Sequence, residues 1–90
     1  MRTIYKYPIQ ITGEVQKIEM PQNGRICDFQ EQGTHPTLWV EVNTEMPTEI
    51  RKFQIFGTGV EIPDPDDHNY CYRGTVQRGI YVWHLFEITP

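Results

Sequence analysis

Two short segments of the sequence carry residue types that bind phosphate. Gly57-Thr58-Gly59 and Gly74-Thr75 fall near the ends of predicted strands, and Arg73 directly precedes the second pair. Glycine lets backbone amides approach an anion, threonine adds a hydroxyl group, and arginine donates paired hydrogen bonds. Neither pair precedes a helix, as nucleotide-binding loops require, and turns or bulges of a β-domain explain the glycines equally well. Both interpretations stay open: a site for a small anionic ligand, or ordinary turns.

Aromatic residues near these segments could complete a nucleotide site. A base could stack on Trp39, Tyr70 or Tyr72 while Arg73 pairs with the phosphate. Since 90 residues can hardly enclose such a ligand, the pocket is expected between subunits.

An acidic segment offers ligands for a divalent cation. Residues 61–68 include Glu61, Asp64, Asp66, Asp67 and His68. Their spacing lacks the glycine bend and terminal glutamate of an EF-hand, so a solvated acidic loop is the favoured alternative. We predict no metal site and no cofactor.

His84 is the histidine best placed for chemistry, but its surroundings favour a structural role. On a strand it shares a face with Val82 and Phe86, which is typical of a core or interface histidine rather than a general base. The sequence contains no serine, which excludes serine-hydrolase chemistry, and leaves Cys27 and Cys71 as the thiol nucleophiles. We assign no catalytic residue and expect a protein that is not an enzyme.

Composition narrows the classes of partner. Eight basic and twelve acidic residues give a net charge of −4, which removes the electrostatic basis for binding a long nucleic acid. The first residues lack the apolar core of a signal peptide, and no apolar run reaches the length of about 20 residues that a membrane span needs. We therefore expect a soluble, intracellular protein with free, buried cysteines.

Alternating apolar residues and turn signals predict the elements that would position these groups. Seven short strands indicate a single all-β domain over residues 1–90, either an antiparallel sandwich or a partly open barrel. Asn23-Gly24 predicts a hairpin, so that strands two, three and four form a meander. A loop with at most one helical turn is expected over residues 43–49. The predicted strands lie within residues 3–9, 18–20, 26–29, 37–42, 53–55, 70–76 and 80–88.

The last predicted strand is apolar on both faces. Tyr81, Trp83 and Leu85 alternate with a second set of apolar residues, so the strand should be central. Either the chain itself covers both faces, or it covers one face and a partner subunit covers the other. Trp39 lies opposite the apolar face of its own strand, where it is either an interface anchor or covered by a second layer. We predict a homo-oligomer with Trp39, Tyr81 and Trp83 at the interface.

Three parts of the sequence resemble a family of small proteins encoded by tailed phages and prophages. The resemblance is carried by the opening Met1-Arg2-Thr3-Ile4-Tyr5-Lys6-Tyr7-Pro8-Ile9, by the central Thr37-Leu38-Trp39 and Phe53-Gln54-Ile55-Phe56-Gly57-Thr58-Gly59, and by the closing Tyr72-Arg73-Gly74-Thr75-Val76 and Val82-Trp83-His84-Leu85-Phe86-Glu87. The resemblance implies an accessory protein in the cytoplasm of an infected bacterium. Such a protein would bind and inactivate a host factor, most plausibly in counter-defence. An oligomeric sponge for a small anionic signalling nucleotide and a minor virion or decoration protein are the alternatives.

Overall fold

Seven β-strands make up the regular structure of the chain in a computed structural model that describes residues 1–64 and 68–90. The strands are β1 (Arg2–Pro8), β2 (Gln16–Pro21), β3 (Arg25–Gln32), β4 (His35–Asn43), β5 (Thr48–Gly57), β6 (Asn69–Arg78) and β7 (Tyr81–Thr89). Within those described residues no helix has the length and apolarity needed to cross a membrane.

The strands form two antiparallel sheets that face each other. The three-stranded sheet has the order β1-β4-β3, and the four-stranded sheet has the order β2-β5-β7-β6. This arrangement confirms the predicted all-β class and is a sandwich. It also confirms that the last strand, β7, lies centrally, between β5 and β6.

The core lies between the sheets and follows the alternation of each strand. In β4, Leu38, Val40 and Val42 point inward and are buried, as the sequence predicts. They meet Phe53 and Leu85 of the other sheet within one cluster of fully buried apolar side chains. Burying one such side chain contributes about 1.5–3 kcal/mol, so this cluster is the main source of stability.

The predicted hairpin at Asn23-Gly24 is wrong. Asn23 does adopt the positive φ of a turn, at 64°, but β2 pairs with β5 and β3 pairs with β4, so the turn carries the chain from one sheet to the other. Of the three strands predicted to form a meander, only β3 and β4 pair with each other. Gly24 is needed at this crossing, because a Cβ there would lie 2.8 Å from Cγ1 of Val40.

Two further boundaries differ from the prediction. β5 begins at Thr48, several residues before the predicted start near Phe53, and the link from β4 is correspondingly short. The β6–β7 hairpin is confirmed, but its turn is formed by Gly79 and Ile80 rather than by residues 77–79. Ile80 therefore lies in the turn and is exposed, instead of sharing the apolar face of β7.

On one side of the sandwich β3 packs beside β6. Gly74 makes this approach possible, since a Cβ at that position would lie 2.8 Å from Cβ of Phe29 in β3. The glycine follows a bulge at Arg73, where the pairing of β6 with β7 shifts register. Gly74 therefore has a packing role. This agrees with the interpretation of Gly74-Thr75 as part of a bulge in a β-domain.

Candidate functional site

A buried ion network lies at one end of the sandwich interior. Arg51 and Glu87 occupy inward positions of β5 and β7, in line with the buried Phe53 and Leu85. Arg51 Nε donates to Glu87 Oε2 at 2.6 Å, and Arg51 Nη2 donates to Glu87 Oε1 at 2.8 Å. The remaining amino group, Nη1, donates to the carbonyl oxygen of Gly24 at 2.6 Å. All three nitrogens of this guanidinium are therefore used within the chain.

Arg73 joins this network through the bulge in β6. The extra residue turns the Arg73 side chain toward Glu87, and its Nε and Nη2 both donate to Oε1, at 3.0 and 2.8 Å. Glu87 is only 4% exposed, whereas the Arg73 side chain keeps 33% of its surface. One buried carboxylate thus holds two arginines, of which Arg73 is the accessible one.

The pKa values of this network keep its groups charged. Burial alone raises the pKa of Glu87, but the hydrogen bonds and charges of Arg51 and Arg73 outweigh burial and leave the pKa below its usual value. The hydrogen bond to Glu87 in turn raises the pKa of Arg51 despite the opposing effect of burial. Both ion pairs therefore persist at neutral pH.

The network forms the floor of an open cleft, which we name the arginine groove. Its main part has a volume of about 780 Å³. It adjoins a hollow of about 470 Å³ that extends to Cys27 and Tyr72. The charged residues that line the two parts are Arg25, Arg51, Lys52, Arg73, Asp28, Glu49 and Glu87, together with His68. The arginine groove is of a size that fits a small molecule.

A second candidate surface is the outer side of the four-stranded sheet. Phe56, Tyr70, Tyr72 and Phe86 lie there in edge-to-face contacts with ring centroids 5.6–6.2 Å apart. We call this surface the aromatic face and include in it the exposed Ile50, which lies on the same side of β5 as Phe56, beyond Lys52 and Gln54. Tyr72 is 56% exposed and Ile50 is 60% exposed. Large apolar side chains are thus presented to solvent on one side of the domain.

His84 is held at the edge of the aromatic face by two threonines. Thr58 Oγ1 lies 2.8 Å from Nε2 of its ring, and Thr75 Oγ1 lies 3.0 Å from Nδ1. Tyr72 OH continues the chain by bonding to Thr75. Both ring nitrogens are therefore satisfied, which agrees with the structural role expected for His84.

Beside this chain the loop after β5 leaves a small hollow of about 190 Å³. Gly57-Thr58-Gly59, Val60 and Ile62 line it from the loop, and Tyr72, His84 and Phe86 line it from the sheet. The loop covers part of β7 within the chain, so the outer side of that strand is only partly open.

The outer side of the three-stranded sheet has a different character. Glu41 accepts charged hydrogen bonds from Arg2 and Arg25 on the flanking strands, and the contact with Arg25 is the largest effect that lowers its pKa. Trp39 lies on this side, with the Lys6 ammonium 6.0 Å from its ring centre. Charges and cross-strand ion pairs dominate this surface, and Trp39 is half-buried among them.

The structure separates the residues that the sequence grouped into one ligand site. Arg73 lines the arginine groove, whereas Gly57-Thr58-Gly59 lines the hollow on the aromatic face. Tyr72 borders both hollows.

Of the three residues predicted for an interface, Tyr81 and Trp83 lie together, and Trp39 lies apart from them. Tyr81 stacks on Trp83 at 5.9 Å with an interplanar angle of 12°. Trp83 is partly buried against the core and would contact a side chain placed at Gly57 at 3.3 Å. Trp39 is on the opposite sheet. The two-sided β7 is thus covered by the core on its inner side.

Sequence reasoning missed Arg51 and Glu87. The sequence does show each of them as a charged residue at an inward position of an alternating strand. The two patterns are Arg51-x-Phe53-x-Ile55 and Trp83-x-Leu85-x-Glu87. Two opposite charges at inward positions of two strands indicate a buried pair once those strands are adjacent. The adjacency of β5 and β7 is what the sequence did not reveal.

The acidic segment and the two cysteines are the other residues that the sequence singled out for possible chemistry. Asp66 and Asp67 of the acidic segment lie outside the described residues. In residues 1–64 and 68–90 no cluster of three or more metal-ligating side chains occurs. Both cysteines are free, as predicted, but Cys27 is exposed rather than buried because it occupies the bulge of β3.

Comparison with known proteins gives a family and no activity. No curated protein and no solved structure matches the chain. One family model matches, over residues 1–90, and its description is "Domain of unknown function (DUF7352)". The match covers the whole sequence, and the chain therefore belongs to the DUF7352 family.

Proposed function

We propose that this domain is a small phage accessory protein that acts by stoichiometric binding of a host protein through the aromatic face. Counter-defence is the role that we favour for such binding. The phage origin rests on the resemblance of the opening, central and closing segments to small tailed-phage proteins. The binding mode rests on the structure of the four-stranded sheet.

The contrast between the two outer surfaces is the observation that carries the binding mode. The three-stranded sheet covers its outer side with charges, including the Arg2–Glu41–Arg25 network. The four-stranded sheet presents Tyr72 and the partly open Phe86 over β6 and β7, whereas its exposed charges Lys17, Glu19 and Lys52 lie with Ile50 over β2 and β5. Exposed apolar clusters on small domains mark interaction sites, and tyrosine is enriched among the residues that dominate interface energies.

Capture from a bacterial lysate with paired variants tests this proposal. Ile50→Glu and Tyr72→Glu place a charge on the aromatic face, whereas Ile4→Glu changes a similarly exposed isoleucine, 52% exposed, on the charged side. The wild type and Ile4→Glu should retain the same host protein at a one-to-one ratio, and the two face variants should lose it. Retention by all four proteins, or loss with Ile4→Glu alone, would contradict the aromatic face as the binding surface.

Mass spectrometry of purified phage particles separates this role from a virion component. A protein that acts on a host factor should be absent from the particles or present in traces. A stoichiometric amount in the particles would contradict the proposal.

A further inference from the structure

The arginine groove concentrates positive charge in an acidic chain. Arg25, Arg51, Lys52 and Arg73 line it, which is four of the eight basic residues. Only three of the twelve acidic residues, Asp28, Glu49 and Glu87, line its two parts. The charged residues that line the groove therefore carry one more positive than negative charge. The groove therefore attracts anions although the whole chain has a net charge of −4.

Arg73 supplies a donor that the protein itself does not use. Its Nε and Nη2 bind Glu87, and among the described residues its Nη1 has no hydrogen-bond partner. Arg51 differs, because all three of its nitrogens are engaged. Of the two arginines on Glu87, only Arg73 combines an unused amino group with access to solvent.

Glu87 also fixes the orientation of that donor. Two hydrogen bonds to one oxygen hold the plane of the Arg73 guanidinium, so little side-chain entropy remains to be lost when an anion binds. Arg25 and Lys52 add charge from the rim, and Asn23 and His68 add polar groups that line the same space. A cluster of donors on different elements suits an anion with several acceptor oxygens, for which phosphate is the common biological example.

The adjoining hollow provides room for the rest of such a ligand. It lies beside the exposed ring of Tyr72, while Arg25, Arg51 and Arg73 line both parts. A base or sugar attached to the phosphate could therefore contact an aromatic surface.

We propose that the arginine groove binds the phosphate group of a small phosphorylated molecule, with Arg73 Nη1 as the principal donor. The groove shares Ile50 and Tyr72 with the aromatic face, but its principal donor, Arg73, lies outside that face, so replacement of Arg73 tests the groove separately from protein binding. Sugar phosphates and nucleotides share the chemistry that the groove recognises. The part of the ligand beyond the phosphate decides between them.

Isothermal titration calorimetry at low salt tests the site with inorganic phosphate, ribose 5-phosphate, adenosine monophosphate and a cyclic dinucleotide. At least one should bind, and Arg73→Gln should weaken its binding about tenfold or more. Tighter binding of adenosine monophosphate than of ribose 5-phosphate would assign a base contact. Equal binding of the two would assign the phosphate and sugar alone.

Arg78→Gln is the matched control. Arg78 lies on the same strand, donates to Glu31 at 2.9 Å and to the carbonyl oxygen of Thr34 at 2.6 Å, and lies outside the groove. Its replacement should leave the dissociation constant within twofold of the wild type. Arg73→Lys keeps the positive charge but loses the planar guanidinium with its paired donors, so it should bind the ligand with intermediate affinity. This variant replaces Arg73→Gln in the experiment if Arg73→Gln does not fold.

Three results would overturn the proposal. The first is the absence of heat with all four compounds. The second is binding that Arg73→Gln and Arg78→Gln weaken equally. The third is Arg73-dependent binding of a glutamate-rich peptide with no binding of any phosphate compound.

Discussion

At the scale of single residues, Glu87 is the carboxylate that holds the buried ion network together. Its carboxylate is buried and accepts four hydrogen bonds from two arginines. A carboxylate in this position is costly to bury alone, and each arginine becomes an uncompensated charge if the carboxylate is removed. Glu41 provides the comparison, since it also holds two arginines but keeps 21% of its side chain exposed.

We expect Glu87→Gln to lower the free energy of unfolding by about 3–5 kcal/mol at pH 7. Because the folded pKa of Glu87 lies below its unfolded value, the stabilisation by its carboxylate is complete above the unfolded pKa of about 4.3. That stabilisation is lost as the pH falls through the folded pKa. Urea unfolding from pH 7 to pH 3 should therefore show the difference between wild type and variant shrinking toward acid. A difference that stays constant over this range would contradict the assignment.

Glu41→Gln is the control for this experiment. Water screens its ion pairs more strongly, so its replacement should cost much less stability than that of Glu87. A loss as large as that of Glu87→Gln would mean that burial is not what distinguishes the two sites.

At the scale of elements, the glycine in β6 determines how closely the two sheets approach. The missing side chain of Gly74 leaves room for Phe29, which is fully buried in β3. Any larger residue must push β3 away from β6 or distort the bulge that positions Arg73.

Gly74→Ala should lower the free energy of unfolding by about 1–3 kcal/mol, the usual effect of overpacking a core. Gly13→Ala is the matched control, because a Cβ at Gly13 would meet no atom within 4 Å. Chemical unfolding of both variants measures the difference. Equal stability of the two variants would show that the contact with Phe29 relaxes at no cost.

The elements also show how far the sequence could predict this structure. Alternation in residues 37–42 predicted which side chains of β4 face the core, because that information is local. Residues 80–88 are apolar on both faces, so the sequence predicted a central strand but not which side of β7 faces the core. Asn23-Gly24 predicted a turn but not the sheet that the chain enters next, since a reversal has the same local chemistry in a hairpin and in a crossing between sheets. Pairing of β2 with β5 depends on contacts between distant residues.

The candidate site was predictable only in part for the same reason. Arg73 was identified by its residue type, but its partner Glu87 becomes visible only when the bulge and the adjacency of β6 and β7 are known. Arg73 and Gly57-Thr58-Gly59 line different hollows, because the bulge in β6 turns Arg73 toward Glu87 while the loop after β5 lies over the outer side of the sheet.

At the scale of the whole molecule, assembly through the aromatic face is a further prediction, in which a second copy of the chain and the host protein compete for the same surface. We expect the wild type to form a homo-oligomer, and light scattering at micromolar concentration measures its mass. Tyr72→Glu should then give a folded monomer, because Tyr72 projects from the surface. Trp83→Glu should instead unfold the domain, because Trp83 packs against the core. A monomeric wild type would contradict the prediction.

The position of β7 in the sheet order affects how the protein can be made in the cell. β6 pairs only with β7 in the four-stranded sheet, and β5 relies on β7 for its second neighbour. Yet β7 is the last strand in the sequence, so the ribosome produces it after every strand that depends on it. Folding during synthesis can therefore bring together β3 and β4 early, whereas the larger sheet must wait for residues 81–89. Until then the edges of β5 and β6 that pair with β7 have no partner strand, and the nascent chain is at its most vulnerable to proteases and aggregation.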